Sequence, residues 1–289
     1  MSGFSNKPNA STKSTTPTMA RPVKPGWITA KTADINDLYE RSVQCPESEV
    51  SLIYQAWDEL RKRRPLSIRE DFCGTSAVAR EWVRHDEKNT VVGVDLDSVV
   101  LGWARQRMEE CLTQEQISRI TLVENDVFTI DIPSVDCTLA MNFSYYGFKK
   151  RTMLLQYFES VKNGLVEDGL FLLDAYGGSD SFLEMDEERD MDGFTYVWDQ
   201  NYVNPITGDI VNYIHFEFPD GSKIKKAFTY EWRFWTLPEI QDALLEVGFS
   251  RVVVYWEGSG EDGEGDGIWS VNNRGEACAG WVAYIAALK

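Results

Sequence analysis

The stretch "SIREDFCGTSAVAREWVRHDEKNTVVGVDLD", residues 67–97, holds two short apolar runs with a helical segment between them. "LSIREDF" reads as a strand, "SAVAREWVRH" as a helix and "TVVGVDLD" as a second strand. Strands joined through a helix of that length are parallel, since antiparallel neighbours need only a short turn. Glu70-Asp71 ends the first strand, Asp95-Leu96-Asp97 ends the second, and Phe72-Cys73-Gly74-Thr75-Ser76 forms the turn into the helix. Ligands of parallel sheets bind beyond the carboxyl ends of the strands. That turn and those acids are therefore the first candidate site.

The alternation continues outward. Upstream, "INDLYERSV" follows Asp34, a candidate helix cap, and "PESEVSLIYQAWDELRKR" opens with Pro46 and acids and closes with basic residues, matching the helix dipole. Downstream, "SVVLGWARQRM" is a helix, "RITLVEND" a third strand, "VDCTLAMNFSY" a fourth, "KRTMLLQYFESVKNGL" a helix and "GLFLLDAYGG" a fifth strand. The fold class is α/β. Residues 194–235 break the rhythm with three aromatic, β-branched runs joined by "NPITG" and "PDG", which predicts an antiparallel β insertion spanning about 180–235. A helix, "LPEIQDALLEVGF", and the strands "RVVVYWEG" and "GWVAYIAAL" close the chain.

The chain has 289 residues, 43% of them apolar, enough for one large domain, and no run is apolar over the length a membrane helix needs. Residues 1–33 are expected to be a tail, because the first 26 are rich in Ser, Thr, Pro and Lys and carry no acid; the domain is then 34–289. The five cysteines show no paired spacing, so neither a disulfide framework nor a zinc site is indicated and a reducing, cytoplasmic setting is the simpler expectation. A net charge of −17 opposes binding to phosphate backbones, so no nucleic-acid partner is expected. In the acidic loop "GSGEDGEGDG", a calcium loop counted from Asp262 would place Asn273 where a bidentate Glu is required, which argues against a metal.

Asp126 ends the third strand, so three consecutive strands end in acids. A carboxylate at the second position can accept hydrogen bonds from both hydroxyls of a ribose. Dinucleotide pyrophosphates instead want glycines and backbone N–H groups, and here Glu70, Asp71 and bulky Phe72 would repel or block them. A dinucleotide-dependent oxidoreductase is the weaker alternative on that ground. A ligand with an ammonium group and no phosphate suits the turn better.

With these segments, residues 66–289 resemble the class I S-adenosylmethionine-dependent methyltransferases of small-molecule type. That family's first loop usually alternates an acid and three glycines; here Glu70 holds the acid position, Phe72 replaces the first glycine, Gly74 keeps the second and Ser76 replaces the third. The resemblance implies a Rossmann-like seven-stranded methyltransferase sheet and S-adenosyl-L-methionine as cofactor. It further implies that Glu70 orients the loop and the cofactor's amino group, Gly74 lets the methionine part approach, Asp95 holds the ribose and Asp126 faces the adenine. The adjoining Cys73, Thr75, Leu96 and Val127 complete that expected set, with Tyr39 as a lid residue and Asn142 and Phe143 at the end of the fourth strand. The altered glycines keep a non-catalytic interaction module in view as a third reading.

Tyr145 and Asn142 are expected near the reacting centre, with Tyr146 on the substrate side. The insertion should supply substrate contacts, with Trp198, Tyr230 and Arg233 as candidates, and in the resembling enzymes such an insertion closes over the site or forms a homodimer. His215 is the candidate general base, as histidine titrates near neutral pH. Each candidate has a plainer alternative: Glu70 and Asp71 as helix caps, Asp97 as the cap of the next helix, and His215 as a hydrogen-bonded sheet residue.

Overall fold

A computed structural model describes residues 28–260 and 265–289. Helix α1 (Ile35–Val43) starts at Asp34, whose carboxylate accepts the amides of Asn36 and Asp37. Helix α2 (Pro46–Leu60) carries proline where a missing N–H costs nothing. It stops at Leu60, so the basic residues expected in its last turn lie beyond it: Arg61 donates to the Asp168 carbonyl, and Arg63 pairs with Asp136 and Asp168. Then come β1 (Ser67–Asp71), α3 (Ala77–His85), β2 (Thr90–Asp95), α4 (Ser98–Cys111), the one-turn α5 (Gln114–Ile117), β3 (Ile120–Glu124), β4 (Val135–Ala140), α6 (Arg151–Gly164) and β5 (Leu165–Gly177).

Four antiparallel strands form the insertion: β6 (Met185–Met191), β7 (Phe194–Val203), β8 (Asp209–Glu217) and β9 (Lys223–Arg233). Helix α7 (Leu237–Glu246), β10 (Arg251–Ser259), β11 (Gly265–Val271) and β12 (Trp281–Leu288) complete the chain. The main sheet runs β11-β10-β12-β5-β4-β1-β2-β3. It is parallel from β5 to β3, and β12 is antiparallel to both β5 and β10. An eighth strand, β11, thus extends the expected seven-stranded sheet through a hairpin with β10. The chain builds outward from β1 through β3 and then crosses back to β4, so the order reverses between β1 and β4, where open α/β sheets place their ligands.

Both faces of this sheet are covered, and every residue of β4 is buried accordingly. On one face α2 and α3 bring Trp57 and Trp82 onto Ile68, Leu139 and Leu172; on the other, α6 and α7 bring Tyr157, Phe158 and Ile240 onto Phe171 and Leu173. A buried ion pair crosses the second face. Arg69 grips Asp71 in a fork of 2.6 and 2.9 Å, and the Tyr157 hydroxyl donates to the same carboxylate. Asp71 is therefore a structural partner of Arg69, neither a helix cap nor a ligand group.

The small sheet has a third core. Ile210, Asn212, Ile214 and Phe216 of β8 are buried, whereas Val211, Tyr213 and His215 alternate onto the other face. Leu38 of α1 joins Phe194, Ile214 and Phe216, and Ile28, Ala30 and Ala33 pack beside them. The Ala30 amide also donates to the Ser222 hydroxyl. Residues 28–33 thus belong to the packed domain and not to the expected tail; residues 1–27 lie outside the described residues. Among the described residues, no helix is long and apolar enough to cross a membrane.

Candidate active site

The turn after β1 keeps the backbone of a glycine loop without its glycines. Phe72, Gly74 and Ser76 all have positive φ, at 58°, 48° and 59°. These are the three positions where the resembling family has glycine. A side chain in this region costs about 1–2 kcal/mol, and surrounding contacts offset that cost. The Phe72 ring turns away from the turn and packs 5.9 Å from Phe148 and 5.7 Å from Tyr157. Ser76 is wholly buried, and its amide donates to the Cys73 carbonyl. Cys73 fits against Gly93, where an added Cβ would meet its sulfur at 3.0 Å, so only its backbone faces the turn. Space over Gly74 is open, since a Cβ there would meet nothing closer than 4.0 Å. A ligand can approach the backbone at that point.

Asp95 organises the turn from β2. One carboxylate oxygen accepts the Gly74 amide at 2.8 Å and the other the Asp97 amide at 2.9 Å. Asp97 in turn caps α4 through the amides of Val99 and Val100, the plainer of its two readings. Leu96, between them, is 70% exposed. Asp126 lies one residue beyond Asn125, whose amide donates to the Asp95 carbonyl. Its carboxylate accepts the Phe128 amide, and it borders a separate hollow of about 830 Å³ with Arg69, Phe128 and Gln156. Val127 is buried, and its carbonyl accepts from Arg69.

At the end of β4 the strand stops earlier than its apolar run suggests. Asn142 and Phe143 both adopt positive φ, and a 3₁₀ turn over Ser144–Gly147 follows. The buried carboxylate of Asp174 on β5 makes this possible: it accepts the Asn142 amide at 2.8 Å and the Phe143 amide at 2.9 Å. Burial pushes its pKa up to about 7, against the pull of those amides. Asp174 went unnoticed in the sequence, although a charged residue inside the apolar run "GLFLLDAYGG" is itself a signal. Tyr145 and Tyr146 are wholly buried, with hydroxyls donating to the carbonyls of Asp174 and Trp235, a packing arrangement in place of the expected reactive and substrate positions.

A cavity of about 610 Å³ opens between the end of β5 and the insertion. Asn142, Phe143, Tyr39, Trp198 and Tyr230 line it, as does Trp232, which the sequence left unassigned as a contact. The rings of Tyr230 and Trp232 lie 4.4 Å apart, and Trp198 leans on both. Asp180, Glu187, Glu188 and Glu257 supply its charge, with Arg189 as the cationic residue on the wall. Arg189 is turned onto the Tyr196 ring and the Ser42 carbonyl.

Strand alternation takes two candidates away from this cavity. His215 lies on the outer face of β8, bonded to Asp199 at 3.2 Å and accepting the Lys226 amide at 2.7 Å. It is the hydrogen-bonded sheet histidine of the plainer reading. Arg233 alternates outward from Trp232, stacks 3.8 Å over Trp235 and pairs with Glu239. Neither borders the cavity.

Helix α1 contributes Tyr39 to the cavity and is tied to the helices that follow the first two strands. Glu40 pairs with Arg80 of α3 at 2.5 Å, and Arg107 of α4 pairs with Asp37. Just past the helix, Gln44 accepts from the Thr75 hydroxyl. These bonds hold Tyr39 between the insertion and the turn, and burial pushes its phenol up to about 12. Beneath it, Glu70 accepts the Ala79 amide of α3, so the helix-cap reading holds for this residue in part. Burial, with the charge of Glu49 second, raises Glu70 well above the ordinary carboxylate range. Loop backbone, Asp95 and buried carboxylates together suit a ligand with hydroxyl and ammonium groups and no phosphate.

No protein-family model matches the chain, and no curated protein matches it by sequence. Solved structures match in fold. An S-adenosylmethionine-dependent methyltransferase from Clostridium acetobutylicum superposes with a TM-score of 0.64 at 18% identity, over 87% of this chain and 96% of that one. An amino pentose methyltransferase from Micromonospora echinaspora, solved with S-adenosylmethionine bound, gives 0.61 at 13% identity over 88% and 95%. A sugar N-methyltransferase from Streptoalloteichus gives 0.58 at 14% over 92% and 95%. The fold is that of the class I S-adenosylmethionine-dependent methyltransferases.

Proposed function

We propose that the chain is an S-adenosylmethionine-dependent methyltransferase that acts on an amine of a small molecule. The carrying observation is the 610 Å³ cavity, whose wall combines aromatic faces with four carboxylates. Aromatic faces and carboxylates both favour cations, the former through the ring quadrupole. The amino pentose methyltransferase and the sugar N-methyltransferase among the similar folds support the same acceptor class. Glu70, the backbone of residues 72–76 and Asp95 would hold the cofactor, with Leu96, Asp126 and Val127 on the adenine side.

When bound, the cofactor supplies an electrophilic methyl group. The chain's part is positioning and exclusion of water. Asp174 fixes the turn at Asn142 and Phe143, so that the Asn142 side chain faces the cavity and orients the acceptor's N–H. Tyr39, Trp198, Tyr230 and Trp232 enclose the acceptor and keep water away from it. An ammonium must lose its proton before it can attack, and the carboxylates on the cavity wall could accept it. His215 has no part in that step. His215→Ala is expected to leave the transfer rate within about twofold of wild type, as read by labelled-methyl incorporation across pH 6 to 9.

Labelled cofactor offered with panels of small amines, phenols and carboxylic acids tests the acceptor class. Label is expected in amines. Incorporation into phenols or carboxylic acids alone would reject the amine assignment.

A further inference from the structure

Glu49 sits in the first turn of α2 and is buried beside Val50, which with Ile53 packs in one core with Ile68 of β1, Leu139 of β4 and Leu172 of β5. It is only 5% exposed, and its Oε2 has no hydrogen-bond donor. Repulsion from Asp174 on β5 reaches it, and its own charge acts on Glu70 of β1, Tyr39 of α1 and Tyr284 of β12. Since β4 lies between β1 and β5, three buried carboxylates surround the end of β4. Asp174 already spends both oxygens on the Asn142 and Phe143 amides, and Arg80, which acts on Glu70, is tied to Glu40 and the Thr75 carbonyl. Among the described residues, Glu49 is left with an open acceptor and no cation partner.

Among the described residues, no group of three His, Cys, Asp or Glu side chains is placed to hold a metal ion. The fitting complement is an ammonium, whose three N–H donors can reach separate acceptors. Glu49 does not border the 610 Å³ cavity, so an acceptor amine held there is not its partner. It lies instead with Glu70, the residue that leads into the turn at 72–76. We propose that Glu49 is a cofactor-binding residue which, with Glu70, takes the α-ammonium of S-adenosylmethionine at the end of β4. This rests on the methyltransferase reading. Burial, with the charge of Asp174 second, pushes Glu49 up to about 8. Glu70, Asp174, Tyr39, Cys45 and Tyr284 are the titratable groups around it.

Calorimetry on the full chain and on Glu49→Gln, using S-adenosylhomocysteine and its analogue without the α-amino group, tests the assignment. Wild type is expected to prefer S-adenosylhomocysteine, and Glu49→Gln to lose about tenfold for it, the effect of one charge-assisted hydrogen bond. Affinity for the deaminated analogue should stay unchanged. Glu49→Leu keeps α2 packed and gives the same readout if the glutamine variant does not fold. An equal loss for both ligands, or an unchanged ratio, would overturn the role of Glu49 while leaving the cofactor reading intact. So would unchanged cofactor affinity with a raised KM for the amine, which would assign Glu49 to the acceptor. A wild-type chain that binds neither ligand overturns both readings together.

Discussion

Asp95→Ala is expected to weaken S-adenosylhomocysteine binding by about 100-fold or more. The carboxylate has two tasks in this account. It accepts the Gly74 and Asp97 amides, which fixes the turn, and it would accept the ribose hydroxyls. Each hydrogen bond to a charged group is worth about 1.5–3 kcal/mol, so losing two gives about 3 kcal/mol at the low end. Asp95→Asn keeps one acceptor oxygen and should fall between the two. Calorimetry reads the change directly, and unchanged affinity in the alanine variant would remove Asp95 from the site.

The second large effect is on stability. Asp174→Ala leaves the Asn142 and Phe143 amides without their acceptor, in a backbone region that strains both residues. Each stranded buried donor costs about 1–3 kcal/mol, and relief of the buried carboxylate returns part of it. A net loss of about 2–4 kcal/mol in urea unfolding is expected. Asp174→Asn should be milder, since one oxygen remains to accept. Transfer activity should fall with stability in both variants, because Asn142 and Phe143 line the cavity. An alanine variant as stable as wild type would show that the turn holds itself.

Much of this architecture was legible in the sequence, for definable reasons. The strand–helix alternation from Ser67 to Gly177 was readable because strands covered on both faces are apolar runs and helices such as α3 and α6 bury one face. Strand β6, "MDEERDM", escaped because it is an exposed edge strand whose side chains carry no burial pattern. Strand β11 escaped for the same reason: glycine-rich and exposed, it pairs only with β10. At β4 the apolar run continued past the true strand end, because Tyr145 and Tyr146 are buried in a 3₁₀ turn, not along a strand.

The site was legible where chemistry sits at a strand end and obscure where facing decides. Gly74 and Asp95 were named from their places at the ends of two strands and from the family resemblance, and the structure joins them by a direct hydrogen bond. Alternation put His215 and Arg233 opposite the residues on either side of them but could not say which face looked inward. Asn212 settles that, being a polar residue buried on the inner face while the titratable His215 lies outside. Glu49 read as an ordinary acid in a helix's first turn, and only the packing of α2 over β1 and β5 places it against Glu70 and Asp174.

Titration of the wild-type chain with S-adenosylhomocysteine and, separately, with NAD tests the central claim most directly. The loop backbone at 72–76, Asp95 and the buried carboxylates predict saturable binding of S-adenosylhomocysteine and no measurable heat from NAD, whose pyrophosphate would find one glycine, Gly74, where it needs several. Saturable binding of NAD with none of S-adenosylhomocysteine would contradict the account.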